Sequence, residues 1–206
     1  MPVSALGLYW PIMKRLIECP VESLLDLGCG TGRLGVCVRD YLEDLVHKVN
    51  PAKPREWKLQ IEGVEIFDDY RSVWGTAAYD KIHSGCVTGF MGGAVKGGRR
   101  WDAIVCTAMI EHLPIETARG LVHAMVHCSD QYAIVGAPFG SHPQGSGHGN
   151  DYEEHLFDVD ESFFAPWKDR LDQLWLVDGS ILAVIRGNNP EGREAPTELV
   201  YRNLLK

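Results

Sequence analysis

The sequence predicts an α/β protein, a three-layer sandwich with a mostly parallel sheet that ends in an antiparallel hairpin. Two patterns carry that prediction. Short apolar, β-rich runs alternate with helix-period segments across roughly residues 20–140, the arrangement of strands joined by helical crossovers. The chain then changes character in DQLWLVDGSILAVIRG, where Asp178-Gly179 separates two β-rich runs, a strong hairpin signal. A third observation places a ligand site: in SLLDLGCGTGRLG, Gly28, Gly30 and Gly32 follow the first strand directly.

Each element has its own signal. LGLYWPIMKRLIEC reads as a helix starting near Pro11, with Tyr9 and Trp10 ahead of it. Ser23–Leu27 is the first strand. In GRLGVCVRDYLEDLVHKV the residues Leu34, Val38, Leu42, Leu45 and Val49 recur at three- and four-residue spacing, a helix period. Two prolines in NPAKPREWK end it. LQIEGVEI is a second strand, DYRSVWGTAAY a short helix, DKIHSG a third strand and RWDAIVCTAM a fourth. IETARGLVHAMVHCS is a helix and QYAIVGAP a fifth strand. Residues from about 140 to 170 follow neither period and are rich in Gly, His and aromatics; a long irregular segment in a compact domain is usually a functional loop. The expectation is one domain over residues 1–206 with an insertion at about 140–170.

Composition narrows the function. The 206 residues carry 28 acidic and 20 basic side chains, a formal net charge of -8, which repels phosphate backbones and argues against duplex nucleic acid as a partner. No apolar run approaches the roughly 20 residues that span a bilayer. The start of the chain lacks a signal-peptide pattern. The six cysteines form no C-x-x-C pair, so reduced thiols and a cytoplasmic location are expected.

The glycines have a physical reading. Strand ends in such a sheet face a crevice where ligands bind. Glycine supplies positive φ and lets a ligand approach the backbone, and the next helix N-terminus attracts a carboxylate. Glu65 closes the second strand, where an acid accepts from ribose hydroxyls. It lies 35 residues beyond Gly30, and the NPAKPREWK insertion accounts for the length. The turn G-C-G-T-G brings its third glycine one residue early for G-x-G-x-x-G, which disfavours a nicotinamide-dependent oxidoreductase, and no G-K-[ST] follows for a P-loop.

On these residues the sequence resembles the class I S-adenosylmethionine-dependent methyltransferases. LLDLGCGTGRLG is similar to their first motif, GVEI to their second, RWDAIVCTAMIEHLP to their fourth and YAIVGAP to the strand after it. The resemblance implies a Rossmann-like fold, S-adenosyl-L-methionine as cofactor, and cofactor contacts from Asp26, Gly28, Cys29, Gly30, Gly32, Glu65, Ile66, Cys86 and Thr107. Asp26 would orient the methionine amino group, Glu65 would hold the ribose hydroxyls and Ile66 would pack on adenine. Cys86 stands where relatives often carry an acid near the adenine amine, so a backbone N–H from Cys86 or Val87 would serve there.

For chemistry, Glu111 and His112 follow the fourth strand. The irregular segment adds His142, His148, Asp151, Glu153, Glu154 and His155. GNDYEEHLFDVDESFF resembles the substrate loop of small-molecule and sugar methyltransferases, which makes His155 the leading base candidate, ahead of His112, and the insertion a substrate cap. Glu111 is read as a substrate contact; Asn150 and Tyr152 either touch substrate or close a turn. The histidine spacings of 6 and 7 match no standard zinc site, and the aspartate of metal-dependent catechol-type enzymes is missing after the fourth strand, so no metal is expected. The reading is methylation of a small molecule, on a hydroxyl of a natural-product or sugar-like acceptor. The alternatives are a protein or RNA methyltransferase and a non-catalytic cofactor-binding scaffold.

Overall fold

In the computed structural model, residues 5–71, 75, 77–147, 149–188 and the backbone of 201–203 are described. The strands are β1 (Ser23–Leu27), β2 (Gln60–Glu65), β3 (Lys81–Ser84), β4 (Trp101–Thr107), β5 (Ser129–Pro138), β6 (Leu171–Val177), β7 (Ser180–Arg186) and β8 (Tyr201–Asn203). The helices are α1 (Leu6–Glu18), α2 (Arg33–Leu45), α3 (Val87–Gly97) and α4 (Ile115–Cys128). The strands form one sheet in the order β3-β2-β1-β4-β5-β7-β6-β8. From β3 to β5 the neighbours run parallel, whereas β7 is antiparallel to both β5 and β6. The fold is therefore the expected Rossmann-like sandwich with a terminal hairpin.

The pleat of β1 explains the two layers. Leu25 and Leu27 point to one face and join Met91 of α3 and Leu121, Val122 and Met125 of α4. Leu24 points to the other and joins Ile12 and Leu16 of α1 with Val38 and Leu42 of α2. Successive strand side chains alternate faces, so Asp26 lies on the α2 side, one residue from the end of the strand. The chain reverses between β1 and β4 in this order, opening a crevice at their carboxyl ends.

The hairpin turn has φ of 52° at Asp178 and 70° at Gly179, the left-handed pair of a type I′ turn, whose twist matches that of the strands. Other boundaries differ from expectation. Helix α1 begins at Leu6, five residues before Pro11, which lies inside it. Burial of Leu8, Ile12 and Leu16 outweighs the one backbone bond that proline forfeits. Helix α2 stops at Leu45 rather than near Val49, and Lys48 adopts φ 57° in the turn beyond it. Helix α3 was not expected, because Gly89, Gly92, Gly93 and Gly97 dilute its apolar pattern; Val87, Met91 and Ala94 still bury one stripe. Of the expected helix over DYRSVWGTAAY, residues 72–74 and 76 lie outside the described residues and its start forms a 3-10 turn at Asp68–Tyr70; most of the chain beyond Asn188 apart from β8 also lies outside them. No described helix is long and apolar enough to cross a membrane.

Candidate functional site

A cleft of about 240 Å³ opens at the carboxyl ends of β1, β2 and β4. Its floor is the glycine turn. Gly28, Gly30 and Gly32 have φ of 73°, 53° and 82°, left-handed values that side chains with a Cβ resist. A Cβ on Gly28 would also come within 2.8 Å of Met109 Cγ. Gly32 is the N-cap of α2, which opens without a side-chain cap, leaving its first N–H groups for a ligand.

Glu65 arrives from β2 and folds over this turn. One carboxylate oxygen accepts from Gly30 N–H and the other from Phe67 N–H, both at 2.8 Å. Burial raises its pKa, while those two bonds oppose the rise. Asp26 is almost fully buried, and burial pushes its pKa up to about 7; the Tyr79 hydroxyl, donating to Oδ2 at 2.6 Å, pulls it down and the nearby Glu65 pushes it further up. The rest of the wall includes Ile66, Tyr70, Cys86, Val87 and Thr107. Tyr9 of α1 reaches the cleft, whereas Trp10 points outward, 63% exposed.

The far end is closed by the segment between β5 and β6. Asn150, Tyr152 and Glu153 line the cleft. Tyr70 donates its hydroxyl to Glu153 Oε1 at 3.0 Å, and Gln144 donates to the Glu153 carbonyl at 2.8 Å, tying the segment to the turn after β2. Asn150 also closes a turn, accepting from Tyr152 N–H at 2.9 Å.

At the same end three groups converge. After β4, Ala108 takes φ 49°, an uncommon backbone for a residue with a side chain and one that clusters at functional sites. The turn at Ile110–His112 follows. Glu111 is 1% exposed, and neither carboxylate oxygen has a hydrogen-bond partner among the described residues; burial pushes its pKa up to about 8. His112 Nδ1 donates to the Glu154 carbonyl at 3.1 Å, and His155 Nδ1 donates to the His142 carbonyl at 2.5 Å. In its neutral form each imidazole therefore carries its lone pair on Nε2. Burial lowers the pKa of His112, keeping it neutral. The rings stand 4.9 Å apart, His112 Nε2 is 4.0 Å from Glu111 Oε1, and one ligand atom from each of the three residues falls within 4.8 Å of the others. Leu156 N–H donates to the Glu111 carbonyl at 2.8 Å, which sets His155 beside the β4 turn.

Of the residues singled out from sequence, Asp26, Gly28, Cys29, Gly30, Glu65, Ile66, Cys86, Thr107, His112, Asn150 and Tyr152 line the cleft. Gly32 shapes the turn behind it, and Glu111 and His155 meet beside His112. His148 lies outside the described residues. Glu153, one of the candidates in the irregular segment, lines the cleft too, while Tyr70 and Tyr79 carried no assigned role in the sequence reading. The two tyrosines belong to the stretch read only as a short helix, with no motif around them. The convergence of Glu111, His112 and His155 is likewise invisible to spacing arguments, because His155 comes from another part of the chain.

No protein-family profile and no curated protein matches the sequence. Solved structures do match in fold. Magnesium protoporphyrin IX methyltransferase (ChlM) from Synechocystis PCC 6803, with bound SAM, aligns over 88% of this chain and 78% of its own at 12% identity, TM-score 0.57. The methyltransferase domain of bacterial CtHen1 aligns over 86% of this chain and 96% of its own at 15% identity, TM-score 0.56. The N-terminal domain of EvdMO1, solved with SAH and D-fucose, aligns over 88% of this chain and 82% of its own at 13% identity, TM-score 0.57. The chain thus has the methyltransferase fold.

Proposed function

We propose that the chain is an S-adenosyl-L-methionine-dependent methyltransferase that methylates a hydroxyl of a small molecule. The observation that carries this is the Glu65–Gly30 bond across the glycine turn, which fixes a carboxylate above three left-handed glycines and a helix N-terminus. That set suits a ligand with a ribose, a carboxylate and a cationic amine. Glu65 receives the ribose hydroxyls, since a carboxylate has lone pairs left after two N–H bonds. The turn and the start of α2 receive the methionine carboxylate, and Asp26 its ammonium. Ile66 and Val87 flank the adenine, and Cys86 offers its backbone there. Cys29 and Thr107 complete the wall. Support for the cofactor also comes from fold neighbours solved with SAM or SAH.

The cofactor supplies an activated methyl group, so the protein's task is alignment and exclusion of water. The segment at about 140–170 acts as the substrate cap, with Glu111, Asn150 and Tyr152 as acceptor contacts. A hydroxyl acceptor loses its proton as oxygen bonds the methyl carbon and the carbon–sulfur bond breaks. We assign that proton to His155 Nε2, whose ring stands 4.9 Å from that of His112 in the cleft wall. Asp26, Glu65 and Glu153 outnumber Arg33 among the charged groups that line the cleft, a negative balance that disfavours a polyanionic acceptor such as RNA.

A second reading of the acceptor end rests on Glu111. Burial favours the protonated form of Glu111, and a cation beside it would take the place of that proton. Two Nε2 lone pairs beside it, each imidazole pinned through Nδ1 by a backbone carbonyl, form a donor set that fits a divalent cation. Glu111, His112 and His155 would then hold the ion and help position the acceptor. Activity assays against hydroxylated acceptors, with and without chelator, test both readings.

A further inference from the structure

We infer that Tyr79 is a positioning residue for Asp26, fixing one oxygen of that carboxylate so that the other is presented to a cationic amine in the cleft. This rests on the functional reading above. Tyr79 lies in the connection between β2 and β3, and its hydroxyl is buried. It accepts from Gly35 N–H at 3.1 Å and donates to Asp26 Oδ2 at 2.6 Å. The hydroxyl thus joins the first turn of α2, which follows the glycine loop, to the carboxylate at the end of β1. Two glycines make room for the ring. A Cβ on Gly35 would stand 2.3 Å from Tyr79 Cε2, and one on Gly63 would stand 3.1 Å from Cδ1. Gly35 and Gly63 therefore let the aromatic ring thread between α2 and β2 to reach Asp26.

Asp26 needs that help. It is 2% exposed and lies close to Glu65, and burial alone opposes its ionised form. Binding an ammonium requires the carboxylate, not the acid. A hydrogen bond donated to the carboxylate favours ionisation and fixes its rotamer. The other groups that bear on this pair are few. Burial, then the nearby Asp26 and Cys29, keep Tyr79 protonated, so the phenol donates. Removing the hydroxyl while keeping the ring separates this role from packing.

The experiment is S-adenosylmethionine titration calorimetry on wild type and Tyr79→Phe between pH 6 and pH 9, with steady-state kinetics on both. If the variant moves the Asp26 ionisation up by about one pH unit, its affinity near pH 7 falls about fivefold and converges on wild type near pH 9. KM for the cofactor follows that change while kcat at saturation holds. In an Asp26→Asn background the Tyr79→Phe change should have no further effect on affinity, which keeps the test usable if one variant alone is poorly behaved. Equal affinity and pH profile in wild type and Tyr79→Phe, or a loss of the same size at every pH, overturns the proposal. A wild type that binds no S-adenosylmethionine overturns the functional reading itself, and the positioning role with it.

Discussion

Glu65 and Gly30 are bound to each other across the crevice, carboxylate to backbone N–H at 2.8 Å, although 35 residues separate them in the chain. This contact locks the end of β2 onto the turn after β1 before any ligand arrives. Glu65→Ala should weaken S-adenosylmethionine and S-adenosylhomocysteine binding by about 1–3 kcal/mol, because ribose hydroxyls lose a buried acceptor. Calorimetry giving wild-type affinity for that variant would remove Glu65 from the site.

His155→Ala should lower turnover by roughly 10²-fold or more while cofactor affinity stays near wild type. Both readings of the acceptor end give this result, since the imidazole is needed as proton acceptor or as ligand. Turnover within about threefold of wild type would take His155 out of the chemistry.

The cation separates those readings. On the cation reading, the purified protein retains a divalent ion, chelation lowers turnover, and Glu111→Gln loses the ion. Elemental analysis finding no ion, with turnover indifferent to chelator, would leave His155 and His112 as the proton-transfer pair.

Stability without ligand should fall as pH rises. Burial lifts Asp26 to about 7 and Glu111 to about 8 in the fold, above the ordinary carboxylate range near 4. Groups raised in this way contribute fully below the unfolded pKa and lose that contribution as pH climbs through the folded pKa. The window is therefore about pH 4 to 8. Asp26→Asn should remove a share of about 2–4 kcal/mol from this dependence, seen as a smaller drop in Tm between pH 5.5 and 8.5. An equal drop in variant and wild type would mean that Asp26 is already ionised in the free protein.

Much of the fold is legible in the sequence because its signals are local. Strand β1, its glycines and the Asp178-Gly179 turn each depend on a handful of neighbouring residues. Helix α1 was misjudged at its start because Pro11 reads as a boundary, while the buried stripe of Leu8, Ile12 and Leu16 decides the matter only in three dimensions. Helix α3 was hidden by its glycines. In the site, the cofactor end follows from one motif and one strand end. The acceptor end does not, since Glu111 and His155 are joined by a backbone bond between Leu156 and Glu111 that no spacing reveals. Tyr79 was silent for the same reason: its meaning lies in Asp26 and Gly35, far away in the chain.

The central claim is that the glycine turn and Glu65 hold S-adenosylmethionine. Thermal shift with S-adenosylmethionine, S-adenosylhomocysteine and NAD, each in excess, tests it most directly, because a ligand raises Tm only for a protein that binds it. The account predicts that both adenosyl sulfur compounds raise Tm by several degrees, that NAD does not, and that Glu65→Ala largely loses the response. A rise with NAD alone, or no rise with either sulfur compound, would contradict it.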